Sequence, residues 1–302
     1  MDRVHVRTES RPRVSGQTGD RHKILESASQ NASSVLAPEL MEVLERFRDE
    51  LEAAPKSLPE WTATKGASPN EIVRSALFTA RNRNKRRVYL KQAEIMVTGG
   101  GSLLYLGEEL RQDDELVWMR LLQLAKGQPL GDSIFFTPYS FLKAIGWQVN
   151  SRGYQRIRDC LLRMKATAVQ ITSNRLHQTV VTSLIDYIAM WDPEKHTPLA
   201  QWEVRLSKVM SLLFADSAFT LIDLEQRKAL PDGIATKLHS YWSSHRDPYP
   251  VKVETLQKLC ASNSELRFFR RELKKALKVL VEVGFLETWV IDSDLVAVIR
   301  KR

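Results

Sequence analysis

Four cations recur along one line near the end of the chain: Arg267, Arg271, Lys274 and Lys278. Successive steps of four, three and four residues stack them on one stripe of a helix. Arg270 and Lys275 flank the stripe, and Glu272 is the only acid among these six cations. An ordinary solvated helix face mixes both signs. A stripe so nearly pure suits charge-assisted hydrogen bonding to oxyanions. A guanidinium can also take a guanine edge bidentately. Arg267 and Arg271 are therefore candidates for base edges. Lys274, Lys275 and Lys278 are candidates for phosphate, which adds affinity without sequence choice.

The helix that must carry this stripe is predicted over 264–283. Phe269, Leu273, Ala276, Leu277 and Leu280 fall on its other face and dock it on a core. A short helix over ETLQKLCAS precedes it, and a two-strand pattern over 284–299 follows. The same order occurs upstream. TPYSFLKAIGW (137–147) reads as a helix opened by Thr137 as cap with Pro138 at its first position. After the turn QVNSRG a longer helix runs over 151–168, then strands over 168–191 around a polar turn, Ser173–Gln178. FLKAIG at 141–146 aligns with LQKLCA at 256–261, and Leu161, Met164 and Ala168 align with Leu277, Leu280 and Gly284. Helix, turn, helix and hairpin, in that order, describe a winged-helix unit, here present twice.

The upstream helix is less basic. Its outward stripe is expected to be Arg152, Arg156, Asp159 and Arg163, with Gln155 alongside and Tyr154, Ile157, Leu161 and Met164 inward. Its hairpin tip offers Arg175 and His177 as wing contacts. The last hairpin tip carries Asp292 and Asp294, which phosphates would repel.

The fold class expected is α+β: two tandem winged-helix domains behind a disordered N-terminal tail. The tail covers 1–34, which is poor in large apolar residues. Residues 35–67 hold a short helix (38–53, with Leu40, Leu44, Phe47 and Leu51 on one stripe) and a linker rich in Pro and Gly. The first domain is expected at 68–191, a linker at 192–198 (DPEKHTP) and the second domain at 199–302. Within the first domain, 70–80 reads as a helix capped by Asn70, 88–97 and 102–106 as strands across Gly99–Gly101, and 112–126 as a helix. Asp113, Asp114 and Glu115 complement the dipole of that last helix. Between Ile72 and Ala93 there are seven basic residues and no acid. Arg83, Lys85, Arg86 and Arg87 make this segment a candidate for phosphate or single-strand contacts. In the second domain, strands are expected at 202–207 and 219–224, with a helix after Pro231–Asp232 ending near Ser244.

The chain has 302 residues, a net charge of +9 and a pI near 9.5. Such a balance favours a polyanionic partner, nucleic acid or an anionic membrane face. No run of about 18 apolar residues is present to span a membrane, and the N-terminal residues lack the apolar core of a secretory signal. Cys160 and Cys260 read as buried, reduced thiols of a cytosolic protein. No G-x-x-x-x-G-K-[ST] loop, H-E-x-x-H or Cys/His metal spacing occurs. His239 and His245 are expected in surface or capping roles. No catalytic residue, cofactor or metal is expected, and the chain reads as a binding protein rather than an enzyme.

The segments PNEIVRSALFTARN, YLGEELRQDDELVWMRLLQLAK, FTPYSFLKAIGW, GYQRIRDCLLRMKATAV and LHSYWSSHRDPYPVKVETLQKLCAS resemble the TrfA family of plasmid replication initiators, over roughly 68–302. The resemblance implies tandem winged helices that bind directly repeated sites, iterons, in a plasmid origin. It implies opening of an adjacent A+T-rich region, which also involves single-stranded origin DNA, and recruitment of the host replicative helicase with DnaA. It implies monomers as the active form, with dimers restraining copy number in a bacterial cytoplasm. The family also recruits the sliding clamp through a Q-L-x-L-F-type segment. The corresponding place here reads KSLPEW, with Ser57, Leu58 and Trp61 as the residues that would dock. Lys56 stands where Gln would be, and Pro59 and Trp61 depart from the pattern. Two recognition helices on one chain suit a non-palindromic repeat read one helical turn apart. The rival readings are a winged-helix transcriptional repressor, a rolling-circle nicking enzyme and a scaffold for acidic proteins.

Overall fold

The computed structural model describes Glu45, Asp49 and residues 57–301 except 130 and 176. The expected tail, and nearly all of the helix expected over 38–53, lie outside the described residues. In chain order the first part comprises β1 (Lys65–Pro69), α1 (Asn70–Val73), β2 (Phe78–Thr79), β3 (Tyr89–Ile95), β4 (Ser102–Glu108), β5 (Leu110–Arg111), α2 (Gln112–Ala125) and β6 (Ser133–Phe136). Next come α3 (Pro138–Ile145), α4 (Ser151–Lys165), β7 (Ala168–Ser173), β8 (Gln178–Thr182), β9 (Ile185–Asp192) and β10 (Thr197–Leu206). A 3-10 segment, Lys208–Ser217, leads to β11 (Phe219–Asp223). The second part comprises α5 (Leu224–Ala229), α6 (Ile234–Ser243), β12 (Val251–Lys252), α7 (Val253–Leu259), α8 (Leu266–Glu282), β13 (Leu286–Asp292) and β14 (Leu295–Arg300).

The described strands form five small sheets, with orders β1-β11, β6-β10-β9, β12-β14-β13, β2-β5 and β3-β4-β7-β8. All ladders are antiparallel except β2-β5. One apolar cluster gathers on α2, where Val117, Trp118, Leu121 and Leu122 meet Phe141, Ile157, Leu161 and Val204. A second lies between α6 and α8 and includes Leu238, Trp242, Leu256, Phe269, Leu277 and Val298. Each fully buried Leu or Phe contributes about 1.5–3 kcal/mol by leaving water, which is what holds the amphipathic helices in place.

The two clusters are joined by hydrogen bonds, many of them buried. Arg227 on α5 donates to Glu115 (2.7 Å) and Gln112 on α2. The Lys237 ammonium donates to the Ser75 carbonyl at 2.5 Å, and Arg74 donates to the Ser244 carbonyl at 2.6 Å. The Ala80 amide donates to the Cys260 carbonyl. The described residues from 57 onward accordingly make one compact unit.

Several local expectations fail, each for a tertiary reason. The helix expected over 70–80 stops at Val73. Ser75 pairs with Val97, the Ala76 amide donates to the Met96 carbonyl, and Phe78–Thr79 become β2. Strand pairing overrides a weak helical propensity there. Asn70 is not the cap, which is Pro69; its side chain accepts from Thr220 instead. The stretch 192–198 is not a linker but the turn joining β9 to β10. Its Asp192 side chain accepts from the Glu194 and Lys195 amides and so mimics a backbone turn. Lys65–Pro69, expected in a linker, is a strand on β11. Leu58 and Trp61 are core residues, and the Trp61 indole donates to Gln123. A docking peptide must offer its anchors to a partner, and these two are already spent inside the chain. The KSLPEW segment is therefore corrected from a clamp-binding candidate, with only Ser57 exposed among the residues named for it.

Candidate nucleic-acid interface

Helix α8 buries Phe269, Leu273, Ala276, Leu277 and Leu280, the face assigned from its periodicity. Arg267, Arg271, Lys274, Lys275 and Lys278 are exposed on the other side. Phe268 stands exposed among them, with the Arg267 guanidinium 4.5 Å and that of Arg271 5.7 Å from its ring centre. The ring gives both guanidiniums a flat surface to lie on. Glu272 bonds Lys275 and Arg271, and those bonds hold its carboxyl below the usual range. Arg267 pairs with Glu265 at 2.9 Å, and Arg270 with Asp294. These pairs leave Lys274 and Lys278 as the cations of the stripe for which no carboxylate partner is seen among the described residues.

Helix α4 has the same place in its half, after α3 and before the β7-β8 hairpin. Asn150 caps it by accepting from the Gly153 amide at 2.9 Å. Gly153 is required there, because a Cβ would stand 2.1 Å from the Gln148 carbonyl oxygen. Arg152 and Gln155 are exposed as expected, with Gln155 bonding Asp159. Arg156 and Arg163 are not on the outward face. The Arg156 guanidinium lies 3.6 Å from the Trp147 ring centre, with Asp113 and Asp232 at 3.6 and 3.8 Å. Arg163 bonds the buried Asp114 at 2.9 Å. The side that faces out instead carries Arg158 and Lys165, both exposed. Arg158 was readable as the residue three after Gln155, but the helix is basic on so many sides that charge alone does not set its phase.

The segment 81–87 divides in the same way. Lys85 and Arg86 are exposed, and Arg83 pairs with Asp232 at 2.7 Å. Arg87 is only 9% exposed and bonds both Asp113 and Asp114. The loop is held from beneath. The buried Arg111 pairs with Glu109 and donates to the carbonyls of Asn82, Lys85 and Arg86. Around Asp113 burial disfavours charge, but Arg87 prevails and holds the carboxyl below its usual range. Asp114, more deeply buried beside Asp113, is pushed up despite its two arginines, and it caps α2 by accepting from the Arg111 amide. These aspartates do sit at a helix N-terminus, as expected, and they also neutralise three of the arginines read as DNA contacts. At the β7-β8 tip, His177 is exposed, whereas Arg175 is held by Glu71 (3.1 Å) and Asp216 (3.3 Å).

A cleft of about 900 Å³ brings the parts together. It is lined by Arg83 and Asn84 from the basic loop, Trp147 from the turn before α4, Asp232 ahead of α6, and Glu272 and Lys275 from α8. The basic loop, the entry to α4 and the polar flank of α8 thus open on one space. No group of His, Cys, Asp and Glu that could hold a metal is found among the described residues. No helix among them is long and apolar enough to cross a membrane. His239 is fully buried, which corrects its expected surface or capping role. His245 does cap α6, its Nδ1 lying 3.0 Å from the Tyr241 carbonyl oxygen. Cys160 and Cys260 are buried and free.

The mixed helix-and-sheet fold recurs in solved structures. Domains 2 and 3 of RctB align with a TM-score of 0.52 at 13% identity, over 78% of this chain and 99% of that one. The Pi initiator protein, crystallised in complex with iteron DNA, aligns at 0.51 and 13% identity, over 80% of this chain and all of that one. At such identity the likeness is one of fold. Residues 29–300 match the TrfA protein family, and the chain belongs to that family. The plasmid replication initiator protein TrfA of Escherichia coli is 37% identical over 240 residues. That match covers 78% of this chain and 62% of the relative's length.

Proposed function

We propose that this chain is a plasmid replication initiator that binds double-stranded iteron DNA through two winged-helix units, with α8 as the principal reading helix and α4 as the second. The units comprise α3, α4 and the β7-β8 hairpin, and α7, α8 and the β13-β14 hairpin. The expected division into 68–191 and 199–302 is replaced by one that assigns β10 to the first unit, whose apolar cluster takes in Val204 and Leu206, and builds the second on the cluster between α6 and α8. The carrying observation is the outward face of α8, where Arg267, Arg271, Lys274, Lys275 and Lys278 are exposed and the apolar face is buried. Arg267 and Arg271, splayed on Phe268, suit base edges; Lys274, Lys275 and Lys278 suit phosphates. Arg152, Gln155, Arg158 and Lys165 of α4, and Lys85, Arg86 and His177, extend the contact. Binding is non-enzymatic and takes place in the bacterial cytoplasm. Family membership supports opening of an A+T-rich region, transient hold on single-stranded origin DNA, recruitment of host helicase and DnaA, and a monomer–dimer balance that restrains copy number.

The test is a titration of the full chain against a duplex carrying the host plasmid's direct repeats and against a scrambled duplex, at two salt concentrations. A quadruple variant, Arg267, Arg271, Lys274 and Lys278→Ala, runs beside it. The expected result is preferred binding to the repeats that weakens steeply with salt and is lost in the folded variant. Equal affinity for scrambled DNA, or an unaffected variant, sinks the assignment to α8. Repeat binding without any opening of a neighbouring A+T-rich stretch would favour the repressor reading.

A further inference from the structure

Two carboxylates pair with arginines that border the proposed DNA face. Asp294, in the turn between β13 and β14, pairs with Arg270 on the flank of α8; the side chains are 52% and 38% exposed. Asp232, in the Pro231–Gly233 turn ahead of α6, holds Arg83 at 2.7 Å, and both line the cleft that α8 and the α4 entry share. Asp232 is brought to Arg83 from a distant part of the chain, and Asp294 to Arg270 from the hairpin that follows α8. Each meets a guanidinium with the same kind of oxygen acceptor that a phosphate presents.

We propose that Asp232 and Asp294 hold down the chain's affinity for DNA: each occupies an arginine beside the DNA face in the free protein, and a duplex gains that arginine only by displacing the carboxylate. This rests on the DNA-binding reading above. The displaced carboxylate stays beside the incoming phosphate and repels it. That cost falls on any duplex, so the two acids lower affinity for the repeats and for other sequences alike and leave sequence choice to the base contacts of α8. An arginine already neutralised from within also adds less to counterion release when DNA arrives.

The substitutions Asp294→Asn and Asp232→Asn remove the charge and keep the shape. Asp294 has φ 82°, a conformation that Asn tolerates, and its carbonyl still accepts from the Val253 amide. Full-length wild type and both variants are titrated on the repeat and scrambled duplexes over a range of salt. For each variant, affinity for the scrambled and the repeat duplex alike is expected to rise about threefold at low salt. The slope of log K against log salt should steepen by about 0.9 for each arginine released. Unchanged affinities and slopes in both variants, with wild type still preferring the repeats, overturn the proposal and leave the proposed function standing. A wild type that does not tell the duplexes apart overturns that function. Weaker repeat binding by Asp232→Asn with a lower Tm assigns Asp232 to clasping the two halves and removes it from the proposal. Asp294 lies with its arginine in one half and is decided independently.

Discussion

Arg86 and Arg87 are neighbours with the same charge and opposite surroundings. Arg86 is exposed, whereas Arg87 is taken by Asp113 and Asp114. Removing one partner of a buried pair leaves the other charge uncompensated, at a cost of roughly 3–5 kcal/mol. Arg87→Met is thus expected to lower stability by about 3 kcal/mol, since Arg163 still faces Asp114. Urea denaturation measures this directly. Lys85→Ala is expected to leave the urea midpoint alone and to weaken DNA binding uniformly across sequences, with a salt slope smaller by about one. A reversal of those two outcomes would show that the loop's roles are misassigned. Sequence spacing places all these cations in one basic run. What separates them is Asp113 and Asp114, more than twenty positions away, whose approach is fixed only once α2 packs.

At the scale of elements, the two helices proposed to read DNA differ in how plainly they announce themselves. In α8 the apolar residues define one stripe, and the polar side follows from it; every residue placed inward from the sequence is buried. In α4 the apolar face was also legible, with Ile157, Leu161 and Met164 buried. The polar side was not, because Arg152, Arg156, Arg158, Arg163 and Lys165 nearly encircle the helix and the structure sorts them by partner. Thr137 as cap and the glycine hairpin at 99–101 were likewise readable, since each depends on neighbours in sequence. The short β1, β2 and β5 pairings depend on residues far away and were missed. Gly153→Ala offers a check on the start of α4. A methyl against the Gln148 carbonyl should cost about 1–3 kcal/mol and lower Tm. An unchanged Tm would mean that the turn yields freely.

For the whole molecule, burial in the second half keeps His239, and at the junction Lys237, out of their usual protonation behaviour. His239 packs against Phe285, shares a hydrogen bond with Gln226, and is pushed by burial and by Arg227 to a pKa of about 3. Lys237, wholly buried between Ser75 and Glu115, is likewise lowered. An unfolded histidine takes up its proton near pH 6.5, the folded one only near pH 3. Between those values the unfolded state binds more protons, so stability rises with pH there and is lost as pH falls. His239→Gln is expected to flatten the stability–pH profile between about pH 6.5 and 3 relative to wild type, by up to about 1.4 kcal/mol per pH unit. Thermal melts across that range test it, and parallel profiles would place the acid sensitivity elsewhere, Asp113 being the next candidate.

Arg111 has a consequence for association. A cationic loop usually arrives at DNA as a fluctuating chain and loses its freedom on contact. Here the carbonyls of Asn82, Lys85 and Arg86 are gripped by one buried guanidinium before any partner comes. The ordering is completed when the chain folds, so in the proposed complex Lys85 and Arg86 meet a duplex on a preset backbone and only their side chains are left to settle.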